Sequence, residues 1–199
     1  MAEGATVLYS SEVIQRRVRE LGQAISRDYA DRPPVLVSVL KGGVIFLADQ
    51  FRAIDLPVSV DFMSISSYGG GSRASGVVRI LKDLDRDIGG EHVLVVEDII
   101  DTGLTLSYLL TTLWAREPVS VEVCTLLDKT ARRIAPLDIR YRGFECPDQF
   151  VVGYGLDIDE RYRNLSMILA APGPAELAAQ PEMLWPYLED AGRAEAGPR

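Results

Sequence analysis

The chain has 199 residues, with 21 Lys and Arg against 29 Asp and Glu, a formal net charge of -8. At 47% hydrophobic and 25% charged residues it has the makeup of a soluble globular chain long enough to bury a sizeable core. The acidic balance speaks against a large nucleic-acid footprint, which is normally basic, but leaves room for a local phosphate pocket at a helix N-terminus.

The first twenty residues lack a basic stretch followed by an apolar run, so no signal peptide is expected. No apolar segment is long enough to span a bilayer. Cys124 and Cys146 form no CxxC pair, which points to reduced thiols in a cytoplasmic protein rather than a metal or disulfide framework. His92 is the single histidine. It follows "GGE" and precedes an apolar run, a turn position, and this argues against Ser-His-Asp or Cys-His chemistry.

In chain order, Val13, Ile14, Val18, Leu21 and Ile25 recur at helical steps and predict a helix over Ser11 to Tyr29, capped by Ser10 or Ser11 and ended by Asp31-Arg32-Pro33-Pro34. Val35 to Leu40, "VLVSVL", has the β-branched composition of a strand buried on both faces. Lys41-Gly42-Gly43 is a tight turn into a helix from Val44 to Phe51. A strand over Val58 to Ser66 leads into "YGGGSRASG", whose composition is that of a mobile loop, and a strand from Val77 to Leu81 leaves it. After the turn Asp87 to Gly90, Val93 to Val96 is the strongest strand signal. Leu104 to Trp114 reads as a helix and Ser120 to Leu127 as a strand, with "FVVGYGLD" as the last strand and its exit. From Ala171 the chain turns Pro-, Ala- and Gly-rich and reads as a partly helical extension, frayed after Asp190. Domain bounds of 1–170 and 171–199 follow.

Strands alternating with helices predict an α/β fold with a mainly parallel central sheet flanked by helices. In such sheets ligands bind at the carboxyl ends of strands. Lys41-Gly42-Gly43, Glu97 to Thr105 and Asp128-Lys129 each follow a predicted strand, so they share that edge. In "VLVVEDIIDTGLTL", Asp101-Thr102-Gly103-Leu104-Thr105 lies between strand and helix. Small and hydroxylated residues there leave backbone N–H groups free for a phosphate, and the helix dipole adds to the attraction. The stretch is neither GxxxxGK[ST] nor GxGxxG, and its short length suits one monophosphate. Glu97 and Asp98 would repel a phosphate directly, but they suit sugar hydroxyls or a divalent cation. The structural alternative makes Glu97 and Asp98 caps of the next element and Asp101 a helix N-cap.

That stretch resembles the phosphoribosyl-diphosphate motif of type I phosphoribosyltransferases. "VSVLKGGVIFLADQ", "DFMSISSYG", "LLDKTARR" and "FVVGYGLDIDERYRNL" resemble the matching pieces of hypoxanthine (hypoxanthine-guanine) phosphoribosyltransferases. The resemblance covers residues 8 to 170. It implies the type I fold with a small hood, and transfer of phosphoribosyl from phosphoribosyl diphosphate to a purine base with Mg²⁺. It places Asp101 opposite purine N7 as general base or acid, and Glu97 and Asp98 on ribose hydroxyls and Mg²⁺. Thr102, Gly103, Leu104 and Thr105 fall on the phosphate loop. Lys41 and Gly42 fall on a pyrophosphate loop with a non-proline cis peptide at Leu40–Lys41. Lys129 matches the donor to the purine O6, Phe150 the stacking ring, and Val151 the backbone at the base edge. Asp157 matches a metal and base-edge contact and Arg163 a pyrophosphate contact. Ser67 and Tyr68 begin the lid, expected to be open without ligand. Leu104 stands where certain relatives carry Lys. The family also implies a homodimer or homotetramer without nucleic acid or membrane.

Two rival readings remain at this level. A regulator sharing this fold would carry an added DNA-binding domain or a basic face, and this chain shows neither. A transferase for adenine, uracil or xanthine is the other. An ammonium donor at Lys129 favours a 6-oxopurine over adenine, whose 6-amino group is itself a donor.

Overall fold

The structure is a computed structural model and describes residues 4–67 and 78–188. Tyr68 and the rest of the expected lid lie outside the described residues, and Ser67 is the last residue of its strand. The residues fall into two compact units, 17–147 and 4–16 with 148–188. Helix α1 (Ser11–Asp28) buries Ile14, Val18, Leu21 and Ile25, the stripe that the spacing predicts. Ser10 stands before it as the cap, its Oγ 3.5 Å from the Val13 N–H.

In the unit 17–147, the strands are β2 (Val35–Leu40), β3 (Ser59–Ser67), β4 (Val78–Lys82), β5 (His92–Ile100), β6 (Ser120–Asp128) and β7 (Tyr141–Glu145). They form one sheet in the order β4-β3-β2-β5-β6-β7. All neighbours run parallel except β3 and β4. Helix α2 (Val44–Arg52) connects β2 to β3, and α3 (Leu104–Trp114) connects β5 to β6. The two central strands are buried because their runs are apolar on both faces: Val35, Leu36 and Val37 in β2, and Val93 through Val96 in β5. Leu106, Leu109 and Leu113, one stripe of α3, close the core with Val95, Met63 and Val123. The chain builds outward from β2 to β3 and β4, then returns to place β5 on the other side of β2. The reversal opens a crevice at the carboxyl ends of β2 and β5, the place where such sheets take ligands.

The unit of 4–16 and 148–188 contains β1 (Thr6–Tyr9), β8 (Phe150–Val152) and β9 (Ile168–Ala171) in an antiparallel sheet of order β1-β9-β8. Val152, Ile158, Leu165 and Leu169 pack with Leu177 and Leu184 of the C-terminal segment. That segment is helical in part, with α4 (Pro174–Ala179) and a 3-10 turn at Pro181–Leu184.

Three expectations are corrected. The segment "FVVGYGLD" is not the last strand, since β9 follows it and only Phe150–Val152 is strand. The strand at Val93 does not stop at Val96. It runs through Glu97 and Asp98 to Ile100, because β6 pairs with it as far as Ile100 opposite Asp128. His92 opens that strand rather than sitting in a turn, and its Nδ1 lies 2.7 Å from Ser120 Oγ on the adjacent strand.

Candidate active site

Lys41-Gly42-Gly43 joins β2 to α2, and the Leu40–Lys41 peptide is cis, as the resemblance implies. Gly42 lies so close to Asp98 that a Cβ there would collide with the carboxylate. The turn after β2 and the acid on β5 therefore fix each other's position, and only glycine permits the approach. Asp98 is buried, and its Oδ1 accepts a 2.8 Å hydrogen bond from the Ile99 N–H.

Beyond β5 the chain turns through Asp101, Thr102 and Gly103 into α3. Gly103 has φ 81°, a left-handed conformation that glycine adopts without strain. The first amides of a helix have no intrahelical acceptor. Here the Leu104 N–H has only a long 3.4 Å contact with Thr102 Oγ1, and the first helical bond runs from the Ser107 N–H to the Gly103 carbonyl. Thr102, Gly103 and Thr105 of this end line the cavity beside Glu97 and Asp101, where the positive end of the helix dipole lies. The capping alternative for Asp101 fails. The N-cap residue is Gly103, with no side-chain cap, and Asp101 instead pairs with Arg132, Nε to Oδ1 at 3.2 Å.

Glu97 lines the same cavity as Val39, Asp101, Gly103 and Thr105. Burial, and then the neighbouring Asp98, pushes its carboxyl well above the usual carboxylate range. Lys129 follows β6 directly and is only 6% exposed. Its N–H donates to the Ile100 carbonyl at 2.9 Å, which holds it beside the turn that carries Asp101. Lys41, Gly42, Glu97, Asp98, Asp101 to Thr105 and Lys129 are thus gathered at the carboxyl ends of β2, β5 and β6.

The remaining candidates belong to the other unit. Phe150 opens β8 half-buried, and Val151 is buried beside it. Arg163 turns back into its own loop: it pairs with Asp157 at 2.8 Å and Glu160 at 3.3 Å and donates to the Gly155 carbonyl at 2.8 Å. Asp157 also accepts the Glu160 N–H at 2.9 Å.

Among the described residues no three His, Cys, Asp or Glu side chains cluster as a metal site. Mg²⁺, however, needs only one or two carboxylates, completing its shell with water and phosphate oxygens. Glu97 and Asp98 supply that donor type, and the desolvated, repelled carboxyl of Glu97 is an acid that a divalent cation would relieve. The residues fit the ion. Sequence reasoning assigned no role to Arg132, which sits on Asp101. The doublet Arg132-Arg133, separated from Lys129 by two residues, was the available signal.

The chain belongs to the phosphoribosyl transferase domain family, whose pattern matches residues 5–159. Within it, the chain is 56% identical over 169 residues to a hypoxanthine-guanine phosphoribosyltransferase of Mycobacterium avium, covering 82% of this chain and 83% of the relative. It is 49% identical to the enzyme of that name from Bacillus subtilis, covering 81% and 90%. The crystal structure of a hypoxanthine phosphoribosyltransferase from Staphylococcus aureus superposes with a TM-score of 0.81 at 44% identity, over 86% of this chain and 92% of that one.

Proposed function

We propose that the protein is a purine-salvage enzyme that transfers the 5-phosphoribosyl group from phosphoribosyl diphosphate to hypoxanthine or guanine, giving IMP or GMP and pyrophosphate. The observation that carries this reading is the turn 101–105, an anion-binding helix start with Glu97, Asp101 and Lys129 around it. In the reaction the bond from ribose C1 to the pyrophosphate oxygen breaks and the bond from C1 to purine N9 forms. The loop amides and the hydroxyls of Thr102 and Thr105 hold the 5-phosphate. Glu97 and Asp98 hold the ribose hydroxyls and stabilise the positive charge that develops on the sugar in an oxocarbenium-like transition state. Asp101 takes the proton that the base gives up. Lys129 donates to O6 and so rejects a 6-amino purine. Glu97 and Asp98 would hold Mg²⁺, which would supply charge neutralisation for the departing pyrophosphate. Lys41 and Gly42 serve the pyrophosphate; Phe150, Val151, Asp157 and Arg163 enter the proposal from the family pattern, for base stacking, the base edge, the metal and pyrophosphate.

The test is a spectrophotometric assay with phosphoribosyl diphosphate, Mg²⁺ and each of hypoxanthine, guanine, xanthine, adenine and uracil. Turnover is expected with hypoxanthine or guanine, none with adenine or uracil, and loss of turnover after chelation. Lys129→Ala should raise KM for the 6-oxopurine by about 10- to 100-fold, the loss of one hydrogen bond from a charged donor. Turnover on adenine alone, or full turnover after exhaustive chelation, would contradict the reading.

A further inference from the structure

Asp128 closes β6, one residue before Lys129, and its side chain is 0% exposed. A carboxylate so completely removed from water is costly unless it is paired. Two guanidiniums meet it: Arg133, from the segment after β6, pairs with Oδ1, and Arg142, on β7, places Nε 2.7 Å from Oδ2. The Asp128 carbonyl also accepts the Cys146 N–H at 2.8 Å. The residue is therefore anchored to the neighbouring strand by both its backbone and its side chain.

The segment 129–137 that leaves Asp128 touches both halves of the site described above. At its start the Lys129 N–H is tied to Ile100. Further on, the Ile134 and Ala135 N–H groups donate to the Thr102 carbonyl at 2.9 and 3.2 Å, inside the phosphate turn. The Arg133 stem and Leu137 press on Gly103 so closely that a Cβ there would collide with both. Arg133 thus has one end on Asp128 and its stem on the phosphate turn.

We propose that Asp128 is a positioning residue: its arginine clamp fixes the segment 129–137, and through it locks the base-reading Lys129 and the phosphate turn 101–105 into one rigid unit. The inference rests on the roles assigned to those residues under the proposed function. It makes a specific demand. A residue that serves Lys129 alone would affect the base alone, whereas the clamp is felt by both substrates.

The experiment uses the full chain. Asp128→Asn keeps the shape and removes the charge that holds the two arginines. KM should rise about 10- to 100-fold for the purine and for phosphoribosyl diphosphate together, the scale of a small misplacement of binding groups. Lys129→Ala should affect the purine alone. In the double variant the purine KM should be no worse than in Lys129→Ala, because the clamp acts on the base through that lysine, while the phosphoribosyl diphosphate KM keeps the full Asp128→Asn effect. Should Asp128→Asn not fold, Arg142→Met, on a side chain 46% exposed, removes one jaw and should raise both KM values about threefold. Unchanged KM values in folded variants, or a change confined to the unfolding midpoint, overturn the clamp. If the wild type turns over no base, the proposed function fails separately. The clamp is then judged by calorimetric affinity for Mg²⁺ and phosphoribosyl diphosphate, which Asp128→Asn must still weaken; equal affinity, or none in the wild type, overturns it.

Discussion

Two loops that carry candidate residues, 101–105 and 153–163, are built on opposite principles. The turn 101–105 uses a single left-handed residue, Gly103, and leaves its amides without strong acceptors. The loop 153–163 holds Tyr154, Asp159, Glu160 and Tyr162 at positive φ as well as Gly153 and Gly155, and its charged groups Asp157, Glu160 and Arg163 pair with one another. Non-glycine residues in that region persist only where the surroundings over-determine them. Here the determinants are the Gly155 and Tyr154 N–H bonds to the Arg163 and Leu165 carbonyls, and the buried Leu184 and Leu165 beneath. The first loop is open for a ligand. In the second, Arg163 is already engaged by Asp157, Glu160 and the Gly155 carbonyl.

The largest expected effect falls on the open loop. Asp101→Asn should cut turnover by about 10²–10⁴, the usual contribution of a positioned proton-transfer group. The unfolding midpoint should stay within a degree or two, because Asp101 does not cap α3 and its ion pair with Arg132 is half exposed, where such pairs contribute little. Rate and midpoint measured on the same variant decide it; near-normal turnover would remove Asp101 from the chemistry.

The next effect falls on the closed loop, through stability. Leu184 is fully buried against the core that includes Ile158 and Leu165. Leu184→Ala should cost about 2–5 kcal/mol in denaturant unfolding, the range for an aliphatic truncation in a core. An unchanged midpoint would mean that the C-terminal segment does not brace this loop. Gly103→Ala comes third. A left-handed alanine costs roughly 1–2 kcal/mol, and its methyl would also push on Leu137 and Arg133. KM for phosphoribosyl diphosphate should rise about tenfold with a modest loss of stability, and wild-type kinetics would show that the turn tolerates movement.

The open loop was far more legible in the sequence than the closed one. Strands β2 and β5 announce themselves as β-branched runs, and the Thr102-Gly103 step marks the start of α3 at Leu104. The strands β1, β7 and β9 read "TVLY", "YRGFE" and "ILAA", too short or too polar to stand out, and they exist because partner strands complete their hydrogen bonds. The Asp128 clamp was invisible for a related reason. Its arginines come from β7 and from a turn, and only the register that sets Thr125 opposite Arg142 and Asp128 opposite Glu145 brings them to one carboxylate. The pairing of Arg163 with Asp157 across a turn of left-handed residues likewise depends on backbone angles that no composition rule specifies.

The smallest effect tests the comparison most directly. Asp159 is exposed at φ 50°, with no bond to another described side chain. Releasing it to glycine removes a left-handed penalty of about 1 kcal/mol. Glycine also gives the unfolded chain more freedom, which offsets roughly 0.5–1 kcal/mol of that gain. Asp159→Gly should therefore shift the unfolding free energy by less than about 1 kcal/mol, toward stability, with turnover and both KM values unchanged. The reverse substitution at the same kind of backbone position, Gly103→Ala, is expected to weaken phosphate binding. If the pair behaves this way, the left-handed residues of the closed loop are scaffold, held by their surroundings, and the left-handed glycine of the open loop is part of the binding surface. A fall in turnover on Asp159→Gly would break that division, because it would show the Asp159 carboxylate itself reaching the substrates or the metal.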